Sequence, residues 1–146
     1  MIKIKVFDVA NKPDNLEKVE VINFLSEHLQ EFGDPKEDIK KAIDYSVKEF
    51  TSFGGFTMII MDDKVIVGAT VINQTGMGGY IPENILVYIA THKDYRGKGL
   101  GKTLMQKAID YSKGDIALHV EANNPAIHLY KKLGFTNPYL EMRLKK

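Results

Sequence analysis

The segment Arg96-Gly97-Lys98-Gly99-Leu100-Gly101 places three glycines among two cations, and Lys102 follows at once. Glycine lets a turn carry its backbone N–H groups close to a phosphate. A helix starting behind such a turn adds about half a positive charge at its N-terminus. A pyrophosphate suits that arrangement, although a tight strand-to-helix connection without a ligand would use the same glycines. Two well-known phosphate motifs do not fit. A P-loop needs Gly-x-x-x-x-Gly-Lys-[Ser/Thr], and Gly101-Lys102-Thr103 supplies its end, but Arg96 stands where the first glycine belongs. The dinucleotide fingerprint Gly-x-Gly-x-x-Gly fails from Gly97, where its third glycine falls on Lys102, and from Gly99, where it falls on Leu104. The pattern present is Arg-x-x-Gly-x-Gly.

Composition narrows the chemistry further. Twenty basic residues against nineteen acidic ones in 146 leave a net charge of +1, which argues against a nucleic-acid binder with a broad basic face. The chain has no cysteine, so cysteine nucleophiles, disulfides and Cys-ligated metals are excluded. His28, His92 and His128 are too scattered for a metal-ligand spacing, and no metal is expected. The N-terminus alternates charged and apolar residues as a strand does, unlike a signal peptide. No run approaches the roughly 18 apolar residues of a membrane span. A cytoplasmic protein is expected, with no nucleic-acid or membrane partner, as a single domain over residues 1–146.

The elements that must position the turn follow from periodicity. Ile2 to Val9 reads as a strand. Leu16, Val19, Ile22, Leu25 and Leu29 predict an amphipathic helix to about Glu31. Asp34-Pro35-Lys36-Glu37 reads as a capped start to a second helix carrying Ile39, Ala42, Ile43, Val47 and Phe50. Phe56 to Met61 and Val65 to Ile72 form a hairpin about Asp62-Asp63-Lys64. A polar loop, Asn73 to Asn84, leads to Ile85–Ala90, a buried central strand. Leu100, Leu104, Ala108 and Tyr111 mark a third helix. Ile116 to Val120 is a strand. Pro125 opens a fourth helix that Gly134 closes, and Tyr139 to Leu144 is a last strand. The order β-α-α-β-β-β-α-β-α-β describes an α/β fold with a mixed sheet and helices on both faces.

Ile89 to Gly101 closely resembles the cofactor motif of the GNAT superfamily of N-acetyltransferases. Asn124-Pro125-Ala126-Ile127-His128-Leu129-Tyr130-Lys131-Lys132-Leu133-Gly134-Phe135 resembles the helix that follows it there, with its Leu-Tyr-x-x-x-Gly-Phe ending. The resemblance implies a GNAT-like fold and acetyl-CoA as co-substrate. Arg96, Gly97, Lys98, Gly99, Leu100, Gly101 and Lys102 would hold the pyrophosphate. Ile89, Ala90 and Thr91 would meet the pantetheine arm with their backbone, where an N–H could polarise the thioester carbonyl. Tyr130 would give its proton to the departing thiolate, a task suited to a phenol. Asn124 or its neighbour Asn123 would contact the cofactor.

The implied reaction is attack of a primary amine on the thioester, the acceptor being a small molecule or a protein amine. Without a cysteine to carry the acetyl group, a ternary complex is expected. An alkylamine is mostly protonated at neutral pH, so a base is needed. His119, between Leu118 and Val120, and Glu83, just before the central strand, are the candidates; Glu121 could orient His119. Phe50, Phe53, Phe56 and Tyr80 are candidate lining for an acceptor pocket. After Phe135 the chain runs only to Lys146, where relatives often carry a longer final hairpin. Either the acceptor side is open or a second subunit of a homodimer covers it. A non-catalytic acetyl-CoA or CoA sensor on the same fold is the alternative.

Overall fold

The computed structural model describes residues 1–146. Five strands, β1 (Ile2–Phe7), β2 (Gly55–Asp62), β3 (Val65–Gln74), β4 (Asn84–Thr91) and β5 (Ile116–Leu118), form one sheet in that order. All pairs are antiparallel except β4 with β5, which is parallel. Helices α1 (Asn15–His28) and α2 (Lys36–Ser46) cover one face; α3 (Leu100–Tyr111) and α4 (Ala126–Lys132) cover the other. The expected mixed sheet with helices on both faces is therefore present. Phe7, Leu25, Ile39, Ile43 and Val71 fill the first core, and Ile60, Val67, Leu104 and Met105 the second.

Local chemistry explains the element ends. The Asp14 carboxylate accepts from the Glu17 N–H at 2.7 Å while Glu17 reaches back to the Asp14 N–H, a capping box that starts α1. α1 ends at His28, short of Glu31, and Gln30–Phe32 form a separate 3-10 turn. Its buried stripe is Val21, Ile22, Phe24, Leu25 and His28, whereas Leu16 and Val19 face solvent. The expected stripe was thus correct only in its middle. α2 starts without a side-chain cap, because Asp34 instead accepts a 2.6 Å hydrogen bond from the Tyr88 hydroxyl. α2 stops at Ser46, and a left-handed Lys48 (φ 58°) turns the chain away before Phe50.

The expected last strand does not form. Tyr139, Leu140, Met142 and Leu144 are 85–91% exposed and lie outside regular structure. Their alternation suits a strand, but a strand also needs a ladder partner. The neighbouring edge strand β5 stops at Leu118, before Val120, and offers little to pair with.

One buried carboxylate ties α1 to α2. Asp44 lies 2.7 Å from the Lys18 ammonium and 2.6 Å from that of Lys40. Burial alone would raise its carboxyl; the two ammoniums outweigh burial and hold it below the ordinary range. Asp44→Ala should cost about 3 kcal/mol in urea unfolding at pH 7, because Lys18 would keep a largely buried charge with only the half-exposed Glu49, at 3.8 Å, beside it. A loss under about 0.5 kcal/mol, the scale of an exposed pair, would contradict this account.

Candidate functional site

The site begins with a mismatch along β4. Its edge toward β3 is paired from Asn84 to Thr91. Its edge toward β5 is paired only from Asn84 to Leu86. From Val87 onward the two parallel strands part, and one edge of β4 is left without a strand partner. A bulge sits at the same point: Val71 pairs with Tyr88 and Ile72 with Leu86, so Val87 is the extra residue. Val87 and Tyr88 both lean toward the α1/α2 core, while Leu86 and Ile89 pack on the α3/α4 side. Simple alternation along this strand therefore fails, which periodicity could not have revealed. Tyr88 is buried, and burial with the nearby Asp34 carboxylate holds its phenol protonated well above its usual range.

Past Thr91 the chain makes a 3-10 turn, Lys93–Tyr95, and enters the glycine segment. Gly97 and Gly99 are left-handed, at φ 80° and 77°, which L side chains resist. The first bond inside α3 runs from the Thr103 N–H to the Gly99 carbonyl. The N–H groups of Leu100, Gly101 and Lys102 thus lack helical acceptors, and no side chain caps them. A Cβ on Gly101 would lie 3.5 Å from Leu129 and 3.8 Å from Thr91, so this turn, the end of β4 and α4 meet at one place. Lys102 is exposed, and the Lys98 ammonium lies 5.0 Å from the centre of the Tyr95 ring. The Arg96 guanidinium donates to the His28 carbonyl at 3.2 Å, an engagement the sequence did not announce.

Tyr130 is 7% exposed, on the face of α4 turned toward the α3 core. Burial pushes its phenol up to about 12. The Asn124 side-chain oxygen accepts from the Ala126 N–H at 2.9 Å, which starts α4; Asn123 is exposed.

The two candidate bases lie at opposite ends of β5. Glu83 precedes it in space: its carboxylate accepts from the Asp115 N–H at 3.3 Å and packs on Gly114. A Cβ on Gly114 would stand 2.6 Å from the Glu83 carboxyl carbon. His119 follows Leu118 directly, where β4 and β5 have parted, and is 58% exposed. The carboxylate beside it is Glu141, at 4.0 Å, in the place expected for Glu121. Glu141 also pairs with Arg143. Of the four aromatic residues suggested for an acceptor pocket, Phe56 is core, stacked edge-on against Tyr111. Phe50, Phe53 and Tyr80 are exposed, and the Phe53 ring covers Gly76. No cluster of three or more His, Cys, Asp or Glu side chains is placed to hold a metal ion. No helix is long and apolar enough to cross a membrane.

Comparison with known proteins gives the family and the fold. Residues 20–135 match the acetyltransferase (GNAT) family, and the chain belongs to that family. It is 29% identical over 85 residues to N-alpha-acetyltransferase 30 of Schizosaccharomyces pombe, covering 55% of this chain and 57% of that protein. The chain spans between 12% and 57% of the length of the curated relatives it matches. The fold is that of the ribosomal-protein-S18-alanine N-acetyltransferase of Escherichia coli, with TM-score 0.71 at 17% identity over 95% of this chain and 80% of that one. A chain of the NatC complex bound to Gag peptide and CoA superimposes with TM-score 0.70 at 22% identity, over 92% of this chain and 84% of that one.

The backbone at Gly99 can be tested without any ligand. Gly99→Val forces a β-branched residue to φ 77° and should cost about 1–2 kcal/mol in thermal unfolding. Gly99→Asn should cost clearly less, since asparagine tolerates the left-handed region. Equal losses would mean that the turn conformation is not the constraint.

Proposed function

We propose that this chain transfers the acetyl group of acetyl-CoA directly to a primary amine in a ternary complex. The observation that carries the reading is the parting of β4 from β5 beside the uncapped start of α3. The pyrophosphate would bind the N–H groups of the glycine turn, with Lys98 and Lys102 adding charge. Arg96 and Gly97 shape the entry to that turn, with Gly99, Leu100 and Gly101 at its centre. The pantetheine arm would lie along the free edge of β4 and take backbone hydrogen bonds from Ile89, Ala90 and Thr91 as a strand would. Asn124 has an amide group left to contact the cofactor beyond its bond to Ala126. A main-chain N–H on the same edge would stabilise the oxyanion of the tetrahedral intermediate.

Acetyl-CoA supplies an activated thioester carbonyl. The amine attacks it, the C–N bond forms, and the C–S bond breaks. His119 removes the ammonium proton; its place after β5, where the strands separate, favours it over Glu83, whose carboxylate clamps the turn before β5. Tyr130, which burial keeps protonated before the reaction, gives its proton to the CoA thiolate as the C–S bond breaks and is reprotonated by the second proton that the acetylated nitrogen loses. With no cysteine in the chain, direct transfer needs no covalent acetyl-enzyme on sulfur. A peptide α-amine is the favoured acceptor. The relatives compared above include an N-alpha-acetyltransferase, and an exposed C-terminal segment leaves the edge of β5 uncovered.

The decisive assay follows thiol release from acetyl-CoA against peptides, polyamines and amino acids. Tyr130→Phe should lower kcat on the order of 100-fold with little change in the KM for acetyl-CoA. Binding without release on any amine would make the chain a CoA sensor instead. His119→Ala should lose rate at neutral pH and regain it as the acceptor deprotonates itself. That recovery should centre near about pH 8 for an α-amine and near about pH 10 for a lysine or polyamine. A His119→Ala profile parallel to wild type would remove His119 as the base.

A further inference from the structure

The end of α1 touches the loop that leads into the glycine turn. His28, the last residue of α1, is 4% exposed. Its ring lies 4.5 Å from that of Phe24 and 4.3 Å from that of His92. Its Nδ1 accepts the N–H of Lys93 at 3.3 Å. Its carbonyl accepts the Arg96 guanidinium at 3.2 Å. One residue therefore holds the loop at Lys93, where the 3-10 turn starts, and at Arg96, just past its end and ahead of Gly97. An Nδ1 that accepts a hydrogen bond carries no proton, so the contact to Lys93 exists only while the imidazole is neutral.

We propose that neutral His28 is a positioning residue for the cofactor-binding turn, and that its protonation releases the turn and weakens acetyl-CoA binding. The proposal rests on the reading of the glycine turn as the pyrophosphate site. His28 makes no contact with the reacting atoms in this scheme; its ring acts through Lys93, while the Arg96 bond is to its backbone carbonyl and does not depend on the proton.

The surroundings set the direction of the proton linkage. Burial is the main cause that lowers the readiness of His28 to charge, followed by repulsion from His92, with Arg96 and Lys93 adding to it. Glu27, whose carboxylate is 3.5 Å from Nε2 but mostly exposed, opposes them. Asp94 lies 4.0 Å from His92 and the Tyr95 ring stacks edge-on against it, so both groups bear on His28 through its neighbour. Since the folded state disfavours the imidazolium, the unfolded chain binds the proton more readily below about pH 6.5. The neutral latch is thus complete above that pH and is lost as pH falls toward the depressed value of His28.

The test compares wild type with His28→Asn, whose amide oxygen can take the place of Nδ1 but cannot titrate. Acetyl-CoA affinity is measured calorimetrically at pH 7.5 and at the lower pH where the nitrogen shifts show the His28 ring charged. Between these, wild type should weaken about fivefold more than His28→Asn, the scale of one lost hydrogen bond. His28→Phe keeps the stack and lacks the acceptor; it should bind about fivefold more weakly at both pH values, with kcat at saturation retained. Identical pH dependence in wild type and His28→Asn overturns the proposal. The latch can also be read with no cofactor and no variant. The amide protection factor of Lys93, corrected for intrinsic exchange, should fall as the His28 ring takes its proton, seen by its nitrogen shifts. A Lys93 amide indifferent to that titration overturns the latch whatever acetyl-CoA does. Failure of wild type to bind acetyl-CoA at pH 7.5, with Lys93 still responding, would instead overturn the cofactor role of the turn.

Discussion

A strand in a sheet interior normally satisfies both of its edges, and β4 satisfies only one of them beyond Leu86. Backbone N–H and C=O groups left without partners in a folded chain need water or a ligand. The opening cannot close by a slide of β5, because β5 is anchored at its start. Asn84 donates through its side chain to the Lys113 and Asp115 carbonyls, and Glu83 accepts the Asp115 N–H. These contacts hold the strands together at one end while the bulge at Val87 turns β4 away at the other. The free edge is a fixed consequence of the pairing, and an extended ligand arm is the kind of group that fits it.

The remaining architecture keeps that edge next to the glycine turn, the proposed phosphate site. α3 begins shortly after β4 ends, and its uncapped first turn lies against Leu129 of α4 and Thr91 of β4 at Gly101. Tyr130 follows Leu129, and its burial in the α3/α4 core fixes its phenol while keeping it protonated. On the opposite face, α1 reaches the same loop through His28. The connection from β4 to α3 is thus held from both sides of the sheet.

Much of this was legible in the residues. The strand-turn-helix around Gly99 and the helix bearing Tyr130 are local features, and local spacing reports them well. What failed was nonlocal. Leu16 and Val19 have the spacing of a core stripe but lie beyond the edge of the core that α1 reaches. Tyr139 to Leu144 alternates like a strand and finds no ladder. Asp34 has the right type and place for a cap, yet the Tyr88 hydroxyl, distant in sequence, takes it. His28 and His92 looked scattered because their separation along the chain hides a contact of 4.3 Å between rings.

The placement of His119 and Glu83 shows how geometry separates what sequence leaves equal. Both are ionisable, and both flank β5 in space. Glu83 has work at the closed end of the strand pair, since its carboxylate fills the space over Gly114 and holds Asp115. One Glu83 oxygen takes that bond, and the group as a whole stays at the closed end, away from the free edge of β4. His119 sits at the open end with one neighbour, Glu141, that is itself shared with Arg143. Of the two, His119 has the placement that the proposed role of base calls for, exposed and beside the parted strands. That carboxylate neighbour comes from the C-terminal segment, so the part of the chain least like a strand still places a charge beside the parted strands.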